Sequence, residues 1–269
     1  MSRVLRPALI ALLGLVVAPA AAHATTETAA LGATSVTFTY EKTGDFTYAG
    51  MQVTITRAGA VAYSGVAATK ECENPYCAPA GAVGASSSLK VADLDGDGEP
   101  EVLVDLYTGG AHCCTIAEIL RFNGTAYTTA TRNFADFGYT LAGATFITGD
   151  ARFAYAFGSF ADSAFPEQLL TYGAVGWRDV TKTHPDTLVA DAVRWLKEYQ
   201  RRRSGTRALG ILAAWVADEY RLGAKAKAKA NRYLTAELRA GRLKADQGWP
   251  HGKAYISTLK RRLKAWGYA

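Results

Sequence analysis

The feature that most constrains the fold is a short acidic segment placed between two runs of strand-forming residues. It reads Asp93-Leu-Asp-Gly-Asp-Gly-Glu-Pro-Glu101, so carboxylates recur at every second position. The two glycines in it allow the backbone to turn back with positive φ. A hard cation such as Ca²⁺ takes about six to eight oxygen ligands, and a loop of this kind supplies most of them. The pattern predicts a metal site with side-chain ligands Asp93, Asp95, Asp97 and Glu101 and the backbone carbonyl of Glu99.

The residues that follow the acidic segment indicate a strand and exclude an EF-hand. An EF-hand loop carries a glutamate at its twelfth position and is flanked by helices. Counted from Asp93, the twelfth residue is Val104, and Pro100 would disrupt a helix that continued through it. Residues 102–107 are mostly aliphatic and β-branched, which favours a strand. The prediction is therefore a cation loop that joins two strands.

Over residues 88–107 the sequence resembles the FG-GAP and VCBS type of calcium-loop repeat. Such repeats are found in integrin-like β-propellers and in many secreted bacterial proteins. Their ligands are the first, third, fifth and ninth loop residues, which correspond here to Asp93, Asp95, Asp97 and Glu101. The ninth residue is more often aspartate in those families, so Glu101 departs from the pattern. The resemblance implies bound Ca²⁺ and nothing further about activity.

Two other interpretations of the acidic segment are weaker. It could be a solvated acidic turn, but the spacing is tight and the glycines lie where ligation needs them. Glu99 and Glu101 could be the acid and base of a glycosidase, but a carboxylate that already holds a cation is a poor general acid. Calcium ligation accounts for the spacing, the glycines and the acidic residues together.

The first residues have the features of an export signal. Arg3 and Arg6 precede an apolar run at residues 8–17, and Ala22-His-Ala24 provides a small-x-small cleavage site. The apolar run is too short to span a bilayer, which needs roughly 20 apolar residues. The sequence predicts a signal peptide over residues 1–24 and a mature chain that is secreted or held in the cell envelope.

Charge divides the chain into two parts. Residues 1–182 contain 11 Lys and Arg against 17 Asp and Glu, whereas residues 183–269 contain 19 against 7, a net charge of +12. Such an asymmetry indicates a domain boundary. The predicted domains are a β-rich calcium-loop domain over residues 32–182 and a basic helical domain over residues 185–269.

The basic second part favours an anionic partner. Because export keeps the chain away from nucleic acid, the expected partner is an anionic cell-wall polymer or a membrane surface. Lysines and arginines that only keep a helical bundle soluble are the alternative. The residues predicted to make the contact are Lys253, Lys260, Arg261, Arg262 and Lys264.

The four cysteines of the chain are expected to form disulfides. They are Cys72, Cys77, Cys113 and Cys114, and an exported chain folds in an oxidising compartment. Local pairing would give Cys72–Cys77 and a vicinal Cys113–Cys114 ring, while cross-pairing would join the two segments, and the spacing does not choose between them. A zinc site that includes His112 is a weaker alternative because thiolates persist poorly outside the cell.

Alternating apolar residues predict strands through the first part of the chain. Residues 35–40 and 51–57 alternate, and Asn123-Gly124 predicts a tight hairpin. Residues 119–122 and residues 169–172, fifty positions later, share the same order of apolar, polar and aromatic side chains. This predicts a degenerate second repeat without its acidic loop. An inserted aromatic stretch, residues 153–165, is either core or an exposed binding ridge.

The second part has the apolar spacing of four helices. The first is predicted from about Thr187 to Arg203, the third is ended by Gly241, and the fourth is begun by Pro250. The predicted fold class is α+β, with N-terminal propeller-blade-like or sandwich sheets and a C-terminal helical bundle.

Signatures of enzymes are mostly absent from the sequence. It has no Gly-x-Ser-x-Gly elbow, no His-Glu-x-x-His and no phosphate-binding P-loop. Catalytic residues that converge from distant positions would escape such a search. The sequence favours an exported calcium-binding module of the extracellular space or the cell envelope. A secreted hydrolase with its site between the two domains is the alternative.

Overall fold

The fold is α+β, as predicted, with antiparallel strands followed by helices. The structure is a computed structural model and describes residues 24–67, 69–72, 77–110 and 112–268, so the predicted signal peptide lies outside the described residues except for Ala24. The strands are β1 (Ala24–Leu31), β2 (Thr34–Lys42), β3 (Tyr48–Arg57), β4 (Ala60–Val66), β5 (Ala78–Pro79), β6 (Leu89–Ala92), β7 (Glu101–Tyr107), β8 (Thr115–Phe122), β9 (Tyr127–Asn133), β10 (Thr140–Ala142), β11 (Thr145–Gly149), β12 (Glu167–Gly173) and β13 (Gly176–Asp179). The helices are α1 (Pro185–Arg202), α2 (Leu209–Arg221), α3 (Ala224–Arg239) and α4 (Gly252–Ala265).

Within the described residues the strands form three antiparallel sheets. Sheet A has the order β1-β2-β3-β4, and sheet C has the order β10-β11-β12-β13. Sheet B contains the series β6-β7-β8-β9, and the two-residue β5 pairs with the C-terminal end of β7. Each series is a meander of neighbouring strands, and the three sheets of the described residues do not close into a propeller.

The three sheets stack in chain order, with sheet B in the middle. Alternate residues of β7 point to opposite faces. Val104 belongs to the core between sheets A and B, together with Phe38. Leu103 belongs to the core between sheets B and C, together with Phe146. Because both faces of sheet B are covered, β7 is buried at nearly every position, and only Glu101 and Asp105 interrupt its apolar and aromatic residues.

The sequence did not predict the first strand, β1. Its side chains are mostly alanine and threonine, and most of them are exposed, so it lacks the apolar alternation of a half-buried strand. Glu27 nevertheless fixes β1 to the rest of the fold. Its carboxylate accepts hydrogen bonds from Ser87 Oγ and from the Ser88 backbone N–H, both at 2.7 Å, and from the Tyr40 hydroxyl at 3.0 Å.

The helices pack around α2, every residue of which is buried. The aromatic stretch of residues 153–165 supplies part of this core: Phe153 and Phe157 are buried in it, and the Phe157 ring lies 5.4 Å from that of Tyr255. Tyr155 is the most exposed of the five aromatic residues in the stretch, at 51%. The stretch is therefore mainly core, and it connects the sheets to the helices.

Candidate metal centre

The acidic segment forms the loop between β6 and β7, as the sequence predicts. The two strands pair antiparallel from Leu89 opposite Val104 to Ala92 opposite Glu101, which leaves residues 93–100 as the connection. The loop has positive φ at Gly96 (+75°) and Gly98 (+84°), a conformation that residues with a Cβ adopt only at a cost. Strands flank the loop on both sides, in contrast to an EF-hand.

Backbone N–H groups of the loop hold its carboxylates in place. The two oxygens of Asp93 accept hydrogen bonds from the N–H groups of Gly96 (2.8 Å) and Gly98 (3.1 Å). Asp97 accepts one from Glu99 N–H at 2.8 Å. These bonds fold the loop around Asp93.

Three of the five predicted ligand residues come together. Single carboxylate oxygens of Asp93, Asp95 and Glu101 all lie within 4.8 Å of one another. Three carboxylates at this separation repel one another unless a cation is shared between them. The triad therefore has both the donor chemistry and the spacing of a hard-cation site.

Glu101 is the buried member of this triad. Its side chain is shielded from solvent, and Oε2 accepts a hydrogen bond from Leu94 N–H at 2.8 Å. No group of the described residues donates a hydrogen bond to Oε1. Burial raises the pKa of Glu101 to about 7, opposed by the Leu94 N–H and reinforced by the charge of Asp95. The carboxyl group thus has one buried oxygen, Oε1, without a hydrogen-bond donor.

The guanidinium of Arg121, on β8, lies among the acidic side chains. Its Nη2 is 2.8 Å from Asp95 Oδ2 and 2.7 Å from Asp97 Oδ2, and its Nε is 3.2 Å from Glu101 Oε1. The Nε contact does not have hydrogen-bond geometry, since both atoms lack a hydrogen-bond partner in the described residues. Arg121 supplies positive charge to the cluster without satisfying Glu101.

Sequence reasoning missed Arg121 as a site residue. The signal that could have found it is strand register. Val102 pairs with Leu120, so Glu101 and Arg121 are neighbours across β7 and β8. That register depends on how sheet B packs between its neighbours, which spacing alone does not give.

The other two predicted ligand residues face arginines. Asp97 is paired with Arg121, as described above. The side chain of Glu99 pairs with Arg57 of β3, whose Nε lies 3.0 Å from Oε2. Arg57 in turn stacks over the Phe122 ring at 4.3 Å from its centroid. The Glu99 side chain thus attaches the loop to sheet A, which leaves only its backbone carbonyl for the predicted role.

The loop also contacts the turn between β12 and β13 in sheet C. Ala174 N–H donates to Asp95 Oδ2 at 3.2 Å. A Cβ added at Gly173 would lie 2.8 Å from Asp95 Cβ, so only glycine fits this approach. All three sheets therefore contribute to the surroundings of the acidic loop.

The cysteines form the local pairs, Cys72–Cys77 and Cys113–Cys114. None is left free, so the alternative of a zinc–thiolate site has no thiolate to use. His112, beside the vicinal pair, stacks on the Phe160 ring with centroids 4.1 Å apart.

Most of the basic residues predicted to bind an anionic partner are exposed on α4. Lys253, Lys260, Arg261 and Lys264 face solvent. Arg262 is partly buried and stacks over the Phe157 ring at 5.4 Å. The apolar face of α4 is buried against the other helices. The helix thus presents charge to solvent and keeps its apolar side inside the protein.

No family model matches the chain, and no solved structure matches it. A probable thylakoid lumen protein from Synechocystis sp. is 34% identical to it over 94 residues, which cover 30% of this chain and 27% of that protein. The match thus spans about a quarter of that relative's length. Within the described residues, none of the helices has the length and apolarity needed to cross a bilayer.

Proposed function

We propose that the protein is exported and that its acidic loop binds one Ca²⁺ ion, which stabilises the stacked sheets. The observation that carries the proposal is the triad of Asp93, Asp95 and Glu101, whose oxygens lie within 4.8 Å of one another, with Glu101 Oε1 buried and without a donor. A divalent ion would satisfy that oxygen and neutralise the cluster. The predicted signal peptide and the similarity to a probable thylakoid lumen protein support the exported location.

A role in stabilisation follows from what the loop touches. Glu99 joins it to sheet A through Arg57, and Asp95 joins it to sheet C through Ala174. An ion that binds only the folded loop raises the free energy of unfolding, by about 2.7 kcal/mol at a hundred times the dissociation constant. Calcium would therefore stabilise the junction of the three sheets.

The experiment is a thermal unfolding series on the mature chain in calcium and in chelator, together with a calorimetric calcium titration. The wild type is expected to melt higher in calcium. D95N should lose most of the shift and weaken calcium binding. D45N, which removes a carboxylate from an exposed turn, should keep both. An equal shift in D95N and the wild type, or no shift in the wild type, would contradict the proposal.

For the helical part, we propose contact with an anionic polymer of the cell envelope through the exposed basic residues of α4. The charge of residues 183–269, +12, supports an anionic partner. A helix that lies in a bilayer interface inserts an apolar face, but that face of α4 is already buried in the protein. A hydrated polymer therefore fits this surface better than a membrane.

This second proposal can be tested with a charge-matched pair of variants. The quadruple variant K253Q/K260Q/R261Q/K264Q should elute from phosphocellulose at lower salt than the wild type. The control removes four exposed charges from elsewhere in the helical part, as K225Q/R232Q/R239Q/K244Q. If both variants elute at equally reduced salt, net charge alone determines retention and the surface of α4 has no special role. Stronger retention on phosphatidylglycerol vesicles than on phosphocellulose would favour a membrane and overturn the choice of polymer.

A further inference from the structure

A cavity of about 460 Å³ opens between β9 of sheet B and the facing side of sheet C, and the end of α4 borders it. Phe134 and Leu170 contribute apolar lining, Gln168 contributes an amide, and Trp266 closes the side next to the helices. The volume is in the range of small-molecule sites, about 300–1,000 Å³. It shares no residue with the acidic loop.

Arg132 is the unusual residue of this cavity. It is only partly exposed, and its guanidinium stacks over the ring of Trp177 at 4.7 Å and that of Phe134 at 5.6 Å. In the described part of the chain it has neither a hydrogen bond nor an ion pair with a carboxylate. Burial lowers the pKa of Arg132, and the charges of Asp179 and Asp150 act against this only from a distance. None of its nitrogens is fully buried, so its unpartnered N–H groups are open to a ligand that supplies an oxygen.

The acidic residues that line the cavity are already paired. Asp150 accepts from Arg152 at 2.5 Å and from the Tyr268 hydroxyl at 2.7 Å. Asp179 accepts from Arg221 at 3.0 Å. These carboxylates are therefore neutralised by partners other than Arg132, and positive charge remains in excess at the cavity.

Trp177 also lines the cavity. The indole Nε1 of Trp177 is buried, and nothing in the described residues accepts its hydrogen bond. Trp177 is the same residue over which Arg132 stacks. The indole nitrogen has almost no surface open to the cavity, so Arg132 is the donor that an oxygen-bearing anion can reach, and Trp177 supplies the ring on which it stacks.

We propose that this cavity binds a small organic oxyanion, a molecule with a carboxylate or phosphate group. Arg132 donates to its oxygens through two N–H groups, and the rings of Phe134 and Trp177, over which Arg132 stacks, hold the guanidinium in place. A charged oxygen held by Arg132 satisfies the guanidinium as an Arg–carboxylate pair does within proteins. The proposal concerns a binding site and is independent of calcium.

The experiment follows the indole N–H resonances of the mature protein by ¹H–¹⁵N correlation spectroscopy at constant ionic strength. The chain has five tryptophans, and the Trp177 signal is assigned by its loss in W177F. Benzoate and phenyl phosphate are the probes, and benzamide is the neutral analogue of benzoate. We expect a saturable shift of the Trp177 signal with at least one anion and none with benzamide. The probe that binds more tightly shows whether the site prefers a carboxylate or a phosphate group.

The variants test whether Arg132 makes the contact. R132Q should weaken binding about tenfold or more, the usual effect of losing a hydrogen bond to a charged group. R239Q, which removes an exposed charge at the end of α3, should leave affinity unchanged. Equal affinities of R132Q and the wild type, or equal losses in R132Q and R239Q, would overturn the proposal.

The wild-type titration decides the matter even if R132Q does not fold. Saturable shifts confined to Trp177 and Trp266, the two tryptophans that line the cavity, support the site. The proposal is wrong if neither anion gives a saturable shift, if benzamide binds as well as benzoate, or if all five indoles shift alike.

Discussion

Sheets B and C correspond strand for strand, yet only sheet B carries the acidic loop. In sheet B, Phe122 pairs with Tyr127 across the β8–β9 hairpin, and in sheet C Tyr172 pairs with Trp177 across the β12–β13 hairpin. The aromatic rings of these pairs lie 5.4 and 5.1 Å apart. The fifty-residue offset seen in the sequence thus joins residues at equivalent places in the two sheets.

The same offset shows what sheet C lacks. The β10–β11 connection is a tight turn after Ala142 where sheet B has residues 93–100. Thr171 occupies the place of Arg121. The acidic loop and the arginine are therefore both present in one sheet and both absent from the other. A meander of this kind therefore forms without either of them.

The largest loss of stability is expected from a substitution in the core between sheets B and C, and it tests whether the two sheets pack on each other. Phe146 is buried there, 5.7 Å from the ring of Phe134 and 4.9 Å from that of Trp177. F146A should lower the free energy of unfolding by about 3–5 kcal/mol, measured by urea denaturation. V175A, at a residue that is 73% exposed in the β12–β13 turn, should change it by less than about 0.5 kcal/mol. Similar losses would mean that the sheets do not share a core.

The second prediction concerns the pH dependence of stability. It compares Glu118 on β8 with Gln168, which occupies the equivalent place on β12 in sheet C. Glu118 is buried between sheets A and B, and no described residue donates to its Oε2. Gln168 instead donates to Asp179 at 3.2 Å. Burial raises the pKa of Glu118 from 4.5 to about 7. Between these pH values the unfolded chain loses this proton and the folded chain keeps it, so this group makes the protein less stable as pH rises.

E118Q, which introduces the residue found in sheet C, is therefore expected to flatten the pH dependence. At pH 8 it should raise the free energy of unfolding by at most about 3.5 kcal/mol, since a tenfold change in an acid dissociation constant corresponds to about 1.4 kcal/mol. At pH 4 the difference should be small. Urea denaturation in chelator from pH 4 to 8 measures this, with E41Q as the exposed control. An unchanged slope in E118Q would show that Glu118 titrates normally.

The third prediction replaces Arg121 by its sheet C counterpart, threonine. In chelator, R121T should lower the free energy of unfolding by about 2 kcal/mol, because Asp95, Asp97 and Glu101 lose their only counter-charge on β8. Calcium should recover most of this loss and bind more tightly than to the wild type, since no guanidinium competes for the carboxylates. T171A, at the equivalent place, should change neither quantity appreciably. The prediction is contradicted if R121T loses calcium affinity.

The contrast between the sheets also separates what sequence could predict from what it could not. The acidic loop, the hairpin at Asn123-Gly124 and the α+β order were predictable because each depends on neighbouring residues. Arg121 meets Asp95 across 26 residues, and Arg57 meets Glu99 across 42. Both contacts depend on strand register and sheet stacking, which a local pattern does not contain. The same applies to the cavity at Arg132, whose walls come from four separate segments of the chain, residues 132–134, 148–152, 168–179 and 266.

The smallest expected effect lies in the two equivalent hairpins. Gly124 has φ +97° and Gly176 has φ +84°, and a Cβ added at either position would meet no atom within 4 Å. G124A and G176A should therefore each lower the free energy of unfolding by about 1 kcal/mol, through backbone strain alone. Neither should alter calcium affinity, because neither glycine lies in the acidic loop. G173A differs because its new Cβ would meet Asp95, so it should weaken calcium binding as well. If G124A weakened calcium binding as much as G173A, the loop would depend on the whole of sheet B and not on its own contacts.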